Sequence, residues 1–182
     1  NAPKKIIDGI DISLKSNSNN FFYLYGKKNI LEKHIENRKL LYNNCEIVDT
    51  KDIIQDDESP LTATKKGKDS SMWKAIESLK EKKSDISLSA GNTGVLLVIS
   101  RMILKTIEEV RKPALAGLWP SKRGVNVVLD LGANIECDEN NLIDFSEMGS
   151  ALYKALHPEE TAKVGLLNIG KEEIKGTEII KK

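Results

Sequence analysis

Cysteine, histidine, net charge and long apolar runs are all scarce in this sequence, and each scarcity removes a class of function. The two cysteines, Cys45 and Cys137, lie far apart, with no CxxC pair and no histidine at ligand spacing. Neither a zinc site nor a disulfide framework is supported, and a reducing cytoplasm fits best. The two histidines, His34 and His157, stand outside the glycine-rich turns and read as surface or helix-terminal residues. Lys and Arg number 28 against 27 Asp and Glu, a net charge of +1. No global field draws in nucleic acid or an acidic partner, so any such attraction must come from a local patch. No apolar stretch reaches the ~20 residues that span a bilayer. The opening Asn1-Ala2-Pro3-Lys4-Lys5 lacks the apolar core of a signal peptide. GxSxG, P-loop, HExxH and GxGxxG motifs are missing, which weakens hydrolase, kinase and dehydrogenase readings.

What is present is an ordinary globular composition: 182 residues, 40% hydrophobic and 30% charged, enough for one sizeable core. Ile6, Ile7, Ile10 and Leu14 recur at helical spacing after Pro3, and Ile30, Leu31 and Ile35 form a second stripe. Between them Phe21 to Tyr25 reads as a buried strand ended by Gly26, and Cys45 to Val48 as the next strand. Residues 50 to 69, broken by Pro60 and Gly67, read as a long loop. Ser70 or Ser71 caps a helix through about Lys83. A strand is expected at Ile86 to Ser89, then a buried helix from Val95 to Lys105. Further strands are expected at Pro113 to Leu118, Val125 to Leu131 and Lys163 to Ile169, with a helix near Asn141 to Leu156. Strands alternating with helices predict an α/β fold with a three-layer, mostly parallel sheet. The chain starts without Met and stops at Lys181-Lys182 in mid-pattern, so one or both ends of a longer protein are expected to be missing.

Three of the expected strand ends share a design: Ser89-Ala90-Gly91-Asn92-Thr93-Gly94, Asp130-Leu131-Gly132-Ala133-Asn134, and Asn168-Ile169-Gly170. The carboxyl ends of strands line the ligand crevice of an open α/β sheet. Glycines there let a ligand approach the backbone, and the N–H groups and dipole of the helix beginning at Thr93 favour an anion. One such turn occurs in any fold of this kind; three together point to a site. Thr64-Lys65-Lys66-Gly67-Lys68-Asp69-Ser70-Ser71-Met72 places cations beside hydroxyls at a helix start, a way to hold phosphate or an acidic partner. The plainer account of that segment is a solvated lysine-rich loop. The same plainer account holds for Lys122-Arg123-Gly124 and Lys171-Glu172-Glu173, and no DNA-binding motif accompanies them.

In order and spacing, Asp69-Ser70-Ser71-Met72, the Ser89 to Gly94 turn, Arg111-Lys112-Pro113-Ala114-Leu115, Val128 to Asn134, Met148-Gly149-Ser150 and Gly165 to Gly170 resemble the PlsX-type phosphate acyltransferases. The resemblance covers residues 1–182 and implies a partial domain, without the family's opening Asp-Ala-Met-Gly-Gly-Asp strand and turn and without its later half. It implies a fold akin to phosphotransacetylase and isocitrate dehydrogenase, a homodimer, and transfer of a fatty acyl group from acyl-carrier protein to inorganic phosphate. No metal or organic cofactor is implied, and the acyl-phosphate product would pass to a membrane glycerol-3-phosphate acyltransferase. The location implied is cytoplasmic, with association at the membrane periphery left open for the full-length protein.

On this resemblance Asn92, Asp130, Asn134, Asn168 and Lys175 are the catalytic candidates. Lys65, Lys68, Ser70, Ser71, Gly91, Thr93, Gly94, Gly132 and Gly170 are the phosphate- and substrate-binding candidates. The family usually carries Arg where Lys65 stands, so a point charge replaces a bidentate fork, and Trp119 stands where a smaller residue is common. Two alternatives stay open: a phosphotransacetylase-like enzyme using acyl-coenzyme A, and a catalytically inactive piece.

Overall fold

The computed structural model describes residues 2–122, 124–168 and 170, apart from the side chain of Lys66. The chain divides into two compact units, Asn1–Lys105 and Thr106–Lys182.

The first unit begins with helix α1 (Lys4–Ser16), which buries Ile7 and Leu14 one turn-multiple apart on its inner face. Strand β1 (Phe22–Gly26) follows, then helices α2 (Lys28–Ile35) and α3 (Lys39–Asn43), and strand β2 (Cys45–Asp49). β1 and β2 pair in parallel, Phe22 opposite Cys45 through Gly26 opposite Asp49. The two helices are the crossover that parallel neighbours require. Ile7, Leu14, Leu24, Leu31, Ile35 and Leu41 form one buried cluster around this βαβ unit.

The expected long loop after β2 contains regular structure. Ser59 caps helix α4 (Pro60–Lys66) by accepting the Thr62 N–H at 3.2 Å, with Pro60 in the first turn, and a single 3-10 turn (Gly67–Asp69) follows. Pro60 was expected to break structure; here it starts a helix, because a proline in the first turn gives up an N–H that has no intrahelical acceptor anyway. Ser70 then caps α5 (Ser71–Lys80), and Asn92 caps α6 (Thr93–Leu104). α4, α5 and α6 meet in a second buried cluster of Ala63, Met72, Trp73, Ile76, Val95, Ile99 and Ile103. α6 is apolar on nearly every side, yet Met102 and Leu104 on its last turn are exposed.

The second unit holds an antiparallel pair, β3 (Gly117–Ser121) and β4 (Gly124–Val128), and the long helix α7 (Glu139–Leu156). A reciprocal capping box of Asp138 and Asn141 starts α7. A Cβ on Gly149 of that helix would lie 3.2 Å from a Leu129 methyl, a tight contact. Phe145 is the one buried hydrophobic residue of this unit among those described.

Mixed helix and strand with a small parallel sheet agrees with the α/β class. Among the described residues, however, the strands form two separate pairs, one of them antiparallel. Ile86 to Ser89 and residues 163–168 form no strand, and only the end of the expected 113–118 strand is paired. Ile86, Leu88 and Leu167 are 77–88% exposed. Apolar, β-prone residues hold a strand only when a neighbouring ladder receives their N–H and C=O groups, and these segments have none among the described residues.

Candidate functional site

Asn92 is placed by its own capping role. Its Oδ1 accepts the Val95 N–H at 3.1 Å, and its Nδ2 donates to the carbonyls of Asp56 at 2.8 Å and Glu58 at 3.2 Å. The amide therefore clamps the 56–58 segment to the start of α6, and its polar atoms face backbone. Beyond it the first-turn N–H groups of Thr93 and Gly94 meet no acceptor among the described residues, and both residues are exposed. Those two donors, with the positive end of the α6 dipole behind them, can receive an oxyanion. A Cβ on Gly91 would lie 3.0 Å from the terminal methyl of Met72, the flexible end of that side chain. Met72, in the first turn of α5, thus lies close to the Gly91 turn.

At α5 the two serines differ. Ser70 is fully buried; its hydroxyl donates to the Gly67 carbonyl at 2.7 Å and accepts the Trp73 N–H at 3.2 Å. That hydroxyl is spent on holding the helix start. Ser71 is half-buried and donates its backbone N–H to the Asp52 carbonyl. Lys65 and Lys68 are exposed. The neighbouring cavity, about 350 Å³, is lined by Asp52, Ile53, Ile54, Glu58, Gly67 and Ser70. It contains two acidic residues and neither lysine, so it is a poor place for phosphate.

The second turn carries its anion within the chain. Asp130 Oδ1 accepts the Leu115 N–H at 2.7 Å; Oδ2 accepts the Asn134 N–H at 2.7 Å and the Asn134 Nδ2 at 3.1 Å. Asn134 Nδ2 also reaches the Pro113 carbonyl at 2.9 Å, and the Leu131 N–H donates to the Leu115 carbonyl. Burial alone would raise the Asp130 carboxyl, but the N–H donors of Leu115, Asn134 and Ala133 outweigh it and hold the group below the ordinary aspartate value. Gly132 sits at φ +87°, a conformation that other L residues adopt only with strain, and its surroundings are open.

Beside this turn an open pocket of about 380 Å³ is lined by Lys112, Ala133, Asn134, Ile135 and Glu136. Lys112 is half-buried and donates from Nζ to the Glu136 carbonyl at 2.9 Å. Sequence reasoning quoted Lys112 within a motif and gave it no role.

Asn168 is half-buried and Gly170 lies just after it, whereas Lys175 lies outside the described residues. Asn92 belongs to the first unit; Asp130, Asn134 and Asn168 belong to the second. No group of three His, Cys, Asp or Glu side chains able to hold a metal occurs among the described residues, and no helix there is long and apolar enough to cross a membrane.

A parallel βαβ unit and capped helices behind glycine turns define a protein of the α/β class. The chain belongs to the family described as "Fatty acid synthesis protein", which matches residues 1–182. It is 59% identical over 181 residues to a protein of Pelagibacter ubique (strain HTCC1062) named "Phosphate acyltransferase", covering 100% of this chain and 54% of the relative. Proteins of the same name from Bradyrhizobium diazoefficiens and Ehrlichia ruminantium are 41% and 40% identical, each over 99% of this chain. They are covered to 51% and 54% of their own lengths. The chain thus spans about half the length of the curated relatives it matches.

Proposed function

We propose that this chain serves the transfer of a fatty acyl group from acyl-carrier protein to inorganic phosphate, giving acyl-phosphate for phospholipid synthesis. The observation that carries the reading is the match of the whole chain to relatives named for phosphate acyl transfer. The free N–H donors at the start of α6 support it. In this reaction a phosphate oxygen attacks the thioester carbonyl, the C–O bond forms, and a tetrahedral oxyanion develops. The C–S bond then breaks, and the carrier's thiolate leaves and takes up a proton. The protein must hold phosphate in line and stabilise the oxyanion as it forms.

The N–H groups of Thr93 and Gly94 are suited to the oxyanion or the phosphate. Asn92, whose amide is committed to backbone, acts as a positioning residue, and so do Asp130 and Asn134. Ser70 holds the start of α5. Lys65, Lys68 and Ser71 are exposed enough to meet the acidic carrier, and Asn168 and Lys175 remain candidates for contact with substrate. A homodimer in the cytoplasm, handing acyl-phosphate to a membrane glycerol-3-phosphate acyltransferase, completes the proposal. The apolar side chains exposed in the second unit, Leu118, Trp119 and Ile135 among them, favour the further reading that these 182 residues alone do not turn over substrate.

The test is acyl-phosphate formation from long-chain acyl-carrier protein and phosphate, with acyl-coenzyme A as a parallel donor. The chain would be assayed alone and joined to the remaining half of the Pelagibacter relative. Product from the carrier donor in the joined form is the expected result. Product from acyl-coenzyme A only would replace the donor with the phosphotransacetylase alternative, and no product from either donor in either form would sink the reading.

A further inference from the structure

We propose that Lys112 is the phosphate-binding cation of the second unit, holding the inorganic phosphate co-substrate in the open pocket beside the Gly132 turn. The inference rests on the phosphate acyl transfer reading and assigns one of its substrates to a residue.

A glycine turn binds an anion through backbone N–H groups that converge on it. At Asp130 to Asn134 most of those groups are taken: the Leu131 N–H meets the Leu115 carbonyl, and the Ala133 and Asn134 N–H groups meet the Asp130 carboxylate. The N–H groups of Leu115 and Asn134, with the Asn134 side-chain amide, all point to the Asp130 carboxylate. The turn therefore offers a second anion few free donors, and its fixed negative charge repels one. An anion settles beside it only against a compensating cation.

Lys112 is in the right place to supply that charge. It lines the same pocket as Ala133 and Asn134. Among the described residues its ammonium is anchored by one hydrogen bond, to the Glu136 carbonyl. An ammonium carries three donors, so two remain. Glu136, the other charged residue of the pocket wall, offers Lys112 its carbonyl, and no carboxylate lies within ion-pair distance of Lys112 among the described residues. A half-buried cation held by a neutral carbonyl keeps its charge for a ligand, whereas one paired with a carboxylate would have spent it. The pocket volume of about 380 Å³ exceeds what one phosphate occupies.

Backbone amide shifts of this chain on titration with inorganic phosphate at constant ionic strength test the assignment. In the unsubstituted chain saturable shifts are expected at Lys112 and at Gly132 to Ile135. Lys112→Gln keeps a donor and removes the charge, and it should weaken phosphate binding about ten- to hundredfold, the range for a charge-assisted hydrogen bond. Lys112→Arg should largely restore binding. The undisturbed remainder of each spectrum reports that the variant is folded. Shifts that persist in Lys112→Gln, that map elsewhere, or that never saturate overturn the proposal.

Turnover separates this proposal from the reading it rests on. If the joined form makes acyl-phosphate, Lys112→Gln should raise KM for phosphate and leave KM for acyl-carrier protein unchanged. The reverse pattern would assign Lys112 to the phosphodiester of the carrier's prosthetic arm and refute the phosphate assignment. Saturable phosphate binding at Lys112 without any turnover would leave the cation in place and sink the transferase reading.

Discussion

Replacing Asp130 with Asn keeps the side chain's shape and one carbonyl acceptor while removing the charge and the second acceptor. In the native turn Oδ1 serves Leu115 and Oδ2 serves Asn134 twice, at 2.7, 2.7 and 3.1 Å. An asparagine can satisfy one side only, and its NH2 then faces an N–H donor on the other. A hydrogen bond to a charged group contributes about 1.5–3 kcal/mol. Because the residue is half-buried and water can reach a freed N–H, the lower part of that range applies, about 2 kcal/mol. Phe145, a buried hydrophobic residue of the second unit, gains about 1.5–3 kcal/mol from burial. Loss of the Asp130 clasp is therefore comparable to loss of that aromatic anchor.

Amide hydrogen exchange reads the effect directly: opening at Leu115 and Asn134 should become about thirtyfold more frequent in Asp130→Asn, since each 1.4 kcal/mol is tenfold. The pH dependence carries a sign. The folded carboxyl lies below its ordinary value of 3.8, so its stabilisation is complete above that value. It declines as pH falls below 3.8 and is gone once pH has passed the folded value. The exchange difference between native chain and variant should thus be constant from neutral pH to about pH 5 and shrink in stronger acid. Equal exchange in the two proteins at neutral pH would show that the clasp does not hold the turn.

Asn92→Ala should lower stability by about 1–2 kcal/mol through loss of the α6 cap and free the 56–58 segment. Asn92→Ser should keep the cap while still freeing that segment, and urea melts combined with amide shifts at Asp56 and Glu58 distinguish the two; identical behaviour of both variants and the native chain would refute the clamp. Ile99→Ala, at a fully buried position of the α4–α5–α6 cluster, should cost about 2–5 kcal/mol. It should be followed by the fluorescence of Trp73 in the same cluster, whereas Met102→Ala on the exposed side of α6 should cost far less. Equal losses would mean that α6 is not buried by the stripe described.

The elements that sequence patterning made legible are those whose periodicity coincides with local burial. α1, α2 and α5 show their apolar stripes at helical spacing, and β1 and β2 are short apolar runs that found each other across a helical crossover. The 50–69 segment was misread because Pro60 counts as a breaker in mid-helix and as a starter after Ser59, and only the cap decides which. Ile86 to Ser89 and Lys163 to Ile169 have the composition of strands, but pairing is not a local property. At the candidate site, the turn at Asn92 was visible as a small, amide-bearing motif before an apolar helix, and its capping role follows from that position. The direction of its Nδ2, toward the carbonyls of residues 56 and 58, depends on a contact 34–36 positions away and has no trace in the pattern. Asp130 illustrates the same limit: Asp-Leu-Gly-Ala-Asn announces a tight turn, but not that the aspartate bends back to fill it.

A turn wrapped around its own carboxylate is organised before any substrate arrives. Loops that gather around a bound anion must order their backbone at the moment of binding, and that lost freedom is subtracted from the affinity. Here the ordering was completed during folding, with Asp130 as the resident anion. A ligand docking beside Gly132 would meet a surface already in its final shape. Its association should show little entropy loss from the chain and a heat capacity change set by the small area it covers, with no signature of coupled folding.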